Sequence, residues 1–271
     1  MEQVRAKKFL GQHFLKDEGI AQRIVQSLTA ATPNLLEIGP GMGVLTKYLV
    51  DDSRYCFKVV EIDMESVDYL HRYYPSLTVI EGDFPRLDLT TLFHDDCGAP
   101  ESFAVIGNFP YNISSQILFR VFEARQQVPE VVGMFQKEVA ERVAAKPGSK
   151  TYGILSVLLS AFYNIEYLFT VPEYVFNPPP KVKSAVIRLL RNDVTALECD
   201  EKLFVQVVKT GFNQRRKTMR NALKPLGLPL DTIPADILQA RAEHLSVSDF
   251  VGITQLLEAQ RAATDDVNNM K

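Results

Sequence analysis

Four consecutive residues, Asn108, Phe109, Pro110 and Tyr111, have the chemical groups needed to hold and activate the amino group of an adenine. That amino group is a poor nucleophile because its lone pair is delocalised into the ring, so it must be held close to an electrophile in a suitable geometry. The side-chain oxygen of Asn108 and a backbone carbonyl at Phe109 or Pro110 could each accept one amino hydrogen, and proline restricts this loop. Tyr111 could stack on the base, which contributes roughly 1–3 kcal/mol. A proline turn with a packed tyrosine is the alternative interpretation.

A glycine-rich turn at Gly39, Gly41 and Gly43 could bind a cofactor. It lies between a predicted strand and a helical pattern, where glycines let the backbone approach a ligand and a helix N-terminus offers unpaired amide groups. The spacing differs from the Gly-x-Gly-x-x-Gly of dinucleotide-binding proteins. A structural turn without a ligand is the alternative.

Two acidic residues at the ends of the next predicted strands could bind an adenosine. Glu61 follows the glycines by roughly 20 residues, the distance at which a carboxylate accepts hydrogen bonds from ribose hydroxyls. Asp83 could accept from an adenine amino group, with Ile62 or Phe84 covering the ring. These features fit both NAD and S-adenosylmethionine, and solvated carboxylates are the alternative interpretation.

The elements that must position these residues are strands alternating with helices, which indicates a mostly parallel sheet. Seven strands are predicted at residues 35–38, 55–62, 77–81, 103–106, 131–136, 165–169 and 184–190. Since ligands of open α/β sheets bind at the carboxyl ends of the strands, the glycine turn, both acids and the Asn108 loop should share one edge. After residue 191 the pattern is helical only. We therefore predict an α/β domain at 1–191 and a small helical domain at 192–271.

Charge is distributed unevenly along the 271 residues, whose net charge is −3. Residues 181–224 hold eleven basic and four acidic side chains, which favours a polyanionic partner such as RNA. A solvated basic surface is the alternative. The candidate RNA-binding residues are Lys181, Lys183, Arg215, Arg216, Lys217 and Arg220.

Several classes of protein are disfavoured by the remaining features. The three cysteines, Cys56, Cys97 and Cys199, lack the paired spacing of a zinc site or a disulfide framework. No apolar run approaches the roughly 20 residues of a membrane-spanning helix, and the first sixteen residues lack the apolar segment of a secretory signal. We expect a cytoplasmic monomer without a metal.

Six short segments distributed over the chain form a recognisable pattern. They are residues 11–15 (GQHFL), 37–41 (EIGPG), 108–114 (NFPYNIS), 136–140 (QKEVA), 176–185 (FNPPPKVKSA) and 213–221 (NQRRKTMRN). With them the chain resembles the small-subunit ribosomal RNA adenine dimethyltransferases, which dimethylate two adjacent adenines near the 3′ end of that RNA. The resemblance implies a class I, Rossmann-like methyltransferase sheet of seven strands with a small C-terminal helical domain, S-adenosylmethionine as cofactor, and the immature small ribosomal subunit as partner.

The same resemblance implies roles for individual residues. Phe176 matches an aromatic residue that contacts the flipped target base opposite Tyr111, although packing in the core is the alternative. His13 stands where the family more often has asparagine. The cluster from Arg215 to Arg220 would contact RNA phosphates. The implied cofactor contacts are His13, Leu15, Gly39, Glu61, Asp83 and Asn108, to which the glycine turn adds Gly41.

Three other functions remain open from the sequence. A large-subunit ribosomal RNA adenine methylase would share the fold and the catalytic loop, but residues 178–181 (PPPK) and the long C-terminal domain favour the small subunit. A non-catalytic RNA-binding assembly factor would not need Glu61, Asp83 and Asn108. A nicotinamide oxidoreductase is disfavoured by the glycine spacing.

Overall fold

A computed structural model describes residues 4–227 and 230–269, the last seven of them through their backbone alone. The chain divides into two compact units, Met1–Glu141 with Asn164–Arg191 and Arg142–Tyr163 with Asn192–Lys271. The strands are β1 (Phe14–Leu15), β2 (Asn34–Ile38), β3 (Cys56–Glu61), β4 (Thr78–Glu81), β5 (Ala104–Asn108), β6 (Glu130–Gln136), β7 (Tyr163–Val171), β8 (Phe176–Asn177) and β9 (Ser184–Arg191). The helices are α1 (Glu18–Gln26), α2 (Met64–Tyr73), α3 (Ser114–Glu123), α4 (Lys137–Val143), α5 (Ile154–Ser160), α6 (Glu201–Asn213), α7 (Met219–Ala222), α8 (Ala235–Gln239) and α9 (Val247–Asn269).

The first unit is built on a seven-stranded sheet in the order β4-β3-β2-β5-β6-β9-β7. Strands β4, β3, β2, β5 and β6 pair in parallel, whereas β9 pairs antiparallel to β6. All seven predicted strands lie in this sheet, so the predicted class I fold with a mostly parallel sheet is confirmed. The parallel strands end at one edge, as the register of Glu61 opposite Glu81 illustrates.

The central strands are apolar on both faces because helices cover both sides of the sheet. Every residue of β2 is buried, and Leu35, Ala104, Ile106 and Val132 share one core with α1 residues such as Ile24. Such continuous apolar runs are typical of parallel strands. They explain why these strands could be predicted from the sequence.

A second, two-stranded sheet was not predicted. Strand β1 pairs antiparallel with β8, so that Phe14 lies opposite Asn177 and Leu15 opposite Phe176. Strands of two residues have no detectable periodicity. This pairing brings the segment before α1 against the segment that follows β7.

The second unit contains helices α5 to α9. Helix α6 packs against α5, α7 and α9, and its buried residues include Leu203, Phe204 and Val207. The division of the chain differs from the predicted domains 1–191 and 192–271, because residues 142–163 group with the helical unit. The reason is that α5 packs against α6 and α9. These helices lie far from α5 in the sequence, so no local pattern predicts the contact. Residues 270 and 271 lie outside the described part.

Among the described residues, no helix combines the length and the apolar character that a membrane span needs.

Candidate active site

A cavity at the carboxyl edge of the sheet, called here the cofactor cavity, brings together residues from the ends of β2, β3, β4 and β5. Eight of the predicted site residues line it: His13, Gly39, Gly41, Glu61, Asp83, Asn108, Pro110 and Tyr111. It is also lined by Leu10, Gly11, Gln12, Phe14, Ile62, Phe109, Asn112 and Ile113. The cavity therefore collects the glycine turn, both acids and the asparagine loop.

The glycine turn after β2 requires glycine at its central positions. Gly39 and Gly41 have φ angles of 66° and 57°, in the left-handed region where a side chain is strained. A Cβ atom at Gly41 would also lie only 2.8 Å from Cε1 of Phe14. The turn thus allows the segment before α1 to approach the sheet edge closely.

Glu61, at the end of β3, is a buried carboxylate that is held by backbone amides. Oε2 accepts from the amide of Gly41 at 3.0 Å, and Oε1 accepts from the amides of Ile62 and Asp63, each at 2.9 Å. Burial raises the pKa of this carboxyl, and the three amide donors oppose that shift. The carboxylate is therefore fixed in one orientation beside the glycine turn.

A second buried carboxyl, Glu37, lies in β2 just before the glycine turn. Its Oε2 accepts a hydrogen bond from the hydroxyl of Thr46 at 2.7 Å. Burial raises the pKa of Glu37 to about 8, the Thr46 bond opposes the shift, and the nearby charge of Glu61 adds to it. At neutral pH Glu37 is thus largely a neutral carboxylic acid.

The end of β4 provides a more accessible acid. The carboxylate of Asp83 is half-buried and lies 3.4 Å from Nε of the exposed Arg86. Of the two candidates for covering an adenine ring, Ile62 lines the cavity and is exposed, whereas Phe84 is buried. Ile62 is therefore the side chain available to a ligand.

Phe109 anchors the loop after β5, and a hydrogen bond fixes the orientation of the Asn108 side chain. The ring of Phe109 is buried against Phe135, and its amide donates to the carbonyl of Met134 at 3.1 Å. Nδ2 of Asn108 donates to the carbonyl of His13 at 2.9 Å. Because the side-chain nitrogen of Asn108 is held in this way, the side-chain oxygen is left to accept a hydrogen bond from a ligand.

Tyr111 is fixed at its hydroxyl and along its ring. The hydroxyl lies 2.5 Å from Oγ of the buried Ser184, and the ring centroid lies 5.2 Å from that of His13. Burial raises the pKa of Tyr111, and the Ser184 bond partly opposes this. The sequence did not single out Ser184, whose position in the segment 176–185 was the available signal.

The N-terminal segment of residues 7–13, called here the strap, lines one side of the cofactor cavity with its residues 10–13. Lys7 forms an ion pair with Asp63, and Nε2 of Gln12 donates to Oδ2 of Asp63 at 3.0 Å. Nδ2 of Asn112 donates to the carbonyl of Phe9 at 3.2 Å. The Lys7 and Gln12 bonds hold the pKa of Asp63 below its usual value despite its burial. Sequence reasoning missed this set of contacts, since their partners are far apart in the chain.

Two of the predicted catalytic and cofactor-binding residues do not line the cofactor cavity. Leu15 and Phe176 face each other across the β1–β8 pair and belong to one hydrophobic core, with only 4% and 1% of their surfaces exposed. The ring of Phe176 fills this core, where burial of its apolar surface is favourable. The contact of Phe176 with a base opposite Tyr111 stays a prediction.

A second cavity adjoins the first at the strap. Its lining includes Lys8, Gly11, Gln12, His13, Tyr111, Gln136, Lys181, Val182 and the three prolines 178–180. His13 and Tyr111 line both cavities. Lys181 thus lies beside the predicted catalytic loop, whereas Lys183 is exposed but does not line this cavity.

The basic residues after α6 fall into two kinds. Arg215 forms an ion pair with Glu243 at 2.8 Å and donates to the carbonyl of Lys150, and it holds the pKa of Glu243 below its usual value. These bonds hold its guanidinium within the helical unit, and the contact of Arg215 with RNA stays a prediction. The other three side chains, called here the basic cluster, are exposed: Arg216, Lys217 and Arg220.

No group of histidine, cysteine or acidic residues that could hold a metal ion occurs in the described part of the chain.

Comparison with known proteins identifies similar chains. A family model described as ribosomal RNA adenine dimethylase matches residues 3–258. The ribosomal RNA small subunit methyltransferase A of Cytophaga hutchinsonii is 59% identical over 96% of this chain and its own full length, and that of Bacteroides thetaiotaomicron is 56% identical over 99% and 100%. A dimethyladenosine transferase from Plasmodium falciparum has a similar structure, with a TM-score of 0.74, 25% identity and coverage of 92% of this chain and 98% of that one. The 23S ribosomal RNA methyltransferase ErmE is also similar, with a TM-score of 0.68, 26% identity and coverage of 90% and 99%.

Proposed function

The chain belongs to the ribosomal RNA adenine dimethylase family, and from this premise we propose that it transfers methyl groups from S-adenosylmethionine to two adjacent adenines near the 3′ end of small-subunit ribosomal RNA. The observation that carries the proposal is the orientation of Asn108. Its side-chain nitrogen is held by the carbonyl of His13, which presents its oxygen at the same cavity as Glu61 and Asp83.

The cofactor cavity fits S-adenosylmethionine in the chemistry of its lining. A carboxylate has about four lone-pair positions, and three of those of Glu61 accept backbone amides, which leaves about one on Oε2 for a ribose hydroxyl. Asp83 can accept from the adenine amino group while Ile62 covers the ring. Gly39 and Gly41 line the same cavity beside these acids. When bound, S-adenosylmethionine supplies a methyl group on a positively charged sulfur that is a good leaving group.

The residues of this chain position the reacting groups and do not act as an acid or a base. The Asn108 oxygen and a backbone carbonyl of Phe109 or Pro110 each accept one hydrogen of the target amino group, which draws its lone pair out of the ring. Tyr111 packs against the base. Each transfer breaks the bond between sulfur and the methyl group, and the methylated nitrogen then loses one proton to solvent. Only one amino hydrogen remains after the first methylation, so one of the two acceptors suffices for the second transfer.

Binding of the RNA is assigned to two basic regions. Lys181 and Lys183 follow the prolines beside the catalytic loop, and the basic cluster belongs to the helical unit. Neutralisation of phosphates by such side chains releases counterions and makes affinity depend on salt. We propose the immature small subunit as the partner, the cytoplasm as the location and a monomer as the active form.

Methylation of large-subunit ribosomal RNA is the second candidate, favoured by the structural similarity to ErmE. The small subunit is supported instead by the names of relatives that are more than half identical to this chain.

The test is transfer of tritiated methyl groups from S-adenosylmethionine to unmethylated small subunits and, in parallel, to large subunits. We expect four methyl groups per small subunit, on two adjacent adenines identified by mapping the modified bases. Label in large subunits alone would refute the substrate, and label in neither particle would refute the activity.

A further inference from the structure

The side chain of His13 lies where the cofactor cavity and the second cavity meet. We propose that it is a positioning residue for the RNA substrate, and that its imidazole acts on the substrate side rather than as a ligand of the cofactor. This inference rests on the proposed function and assigns a role within the same site.

Three contacts connect His13 to the catalytic loop and to the prolines after β8. Nδ1 lies 2.8 Å from the carbonyl oxygen of Pro178, which can only accept, so Nδ1 carries a hydrogen and donates it. The ring lies at 36° to that of Tyr111 with centroids 5.2 Å apart. The backbone carbonyl of His13 accepts from Nδ2 of Asn108. Nδ1 of the imidazole thus faces the proline segment, and the backbone carbonyl of His13 faces the catalytic loop.

These contacts complete the support of Tyr111. Ser184 fixes the hydroxyl of Tyr111 from the start of β9, and His13 packs along its ring. The hydrogen bond to Pro178 holds the imidazole in this place and also fixes the prolines that line the second cavity. Loss of that bond should loosen the wall against which the target base packs. Glu61, by contrast, is held by backbone amides of its own turn and of the glycine turn, and it should be unaffected.

The separation of roles can be tested with two variants of nearly equal size. In His13→Asn the side-chain nitrogen, bonded to Cγ as Nδ1 is, can still donate to Pro178, whereas His13→Leu has no donor. We expect both variants to bind S-adenosylmethionine within about twofold of the wild type by calorimetry. Methyl transfer to unmethylated small subunits should fall about tenfold in kcat for His13→Leu, as loss of one positioning hydrogen bond predicts, and less than threefold for His13→Asn.

His71→Leu provides a matched control, because His71 is an exposed residue in the last turn of α2, away from both cavities. It should have wild-type kinetics. A loss of cofactor affinity in His13→Leu that equals the loss in kcat/KM would overturn the proposal, as would a His13→Asn variant as slow as His13→Leu. Either result is distinguishable from failure of the proposed function, in which the wild-type protein itself transfers no methyl groups to small subunits.

Discussion

Replacement of Asn108 by alanine is the most direct perturbation of the catalytic loop. The change removes the oxygen that should accept the amino hydrogen and also the nitrogen that donates to the carbonyl of His13. The fold around Asn108 should persist, because Phe109 anchors the loop separately. The ring of Phe109 is buried, and its backbone amide donates a hydrogen bond to the carbonyl of Met134.

The two losses differ in size. A neutral hydrogen bond such as that to His13 contributes about 0.5–1.5 kcal/mol, so the free energy of unfolding should fall by no more than about that amount. If Asn108 also contacts the cofactor, the same figure limits the loss of S-adenosylmethionine affinity to roughly tenfold. Removal of a preorganised hydrogen-bonding group that acts in the transition state costs about 2.7–4 kcal/mol, which is a factor of 10²–10³ in kcat.

The assay is single-turnover transfer of tritiated methyl to unmethylated small subunits at saturating S-adenosylmethionine, with cofactor affinity measured separately by calorimetry. Asn112→Ala is a matched control, because the Asn112 side chain also donates to a carbonyl of the strap, that of Phe9. We expect the Asn112 variant to retain at least about a tenth of the rate, since it loses one such bond. A rate for Asn108→Ala within tenfold of the wild type would refute the assignment of its oxygen to the reacting amino group.

Three further predictions address other parts of the structure. Ser184→Ala removes the partner of the Tyr111 hydroxyl and should lower kcat about tenfold, with no additional loss when it is combined with Tyr111→Phe in a double-mutant cycle. Glu37→Gln should flatten the pH dependence of stability: because burial raises the folded-state pKa to about 8, the wild-type free energy of unfolding should fall as pH rises from about 4.5 to about 8, and urea titrations at several pH values would measure this. Replacement of the basic cluster by alanine should reduce the slope of log affinity for RNA against log salt by up to about 3, whereas Arg215→Ala should mainly lower thermal stability, and equal slopes for wild type and cluster variant would contradict the assignment.

Local sequence was sufficient for the sheet and for most of the cofactor cavity. The parallel strands are apolar runs bounded by turns, and their carboxyl ends meet at one edge in any sheet of this type. Residues at those ends, such as Gly39, Glu61, Asp83 and Asn108, are therefore brought together by topology alone, and they line one cavity.

Contacts between distant segments were decided only by the tertiary structure. The bond of His13 to Pro178 joins residues 165 positions apart, and that of Tyr111 to Ser184 joins residues 73 apart. Neither pair has a local pattern, because each contact depends on how separate elements pack. The same holds for residues 142–163, which group with the helical unit, and for Phe176, whose ring packs in the core. The sequence by itself determined which chemical groups reach the sheet edge, because the pattern of a strand is a local property of the sequence. The tertiary structure decided which of those groups are held, covered or buried there, because packing depends on segments that are distant in the sequence.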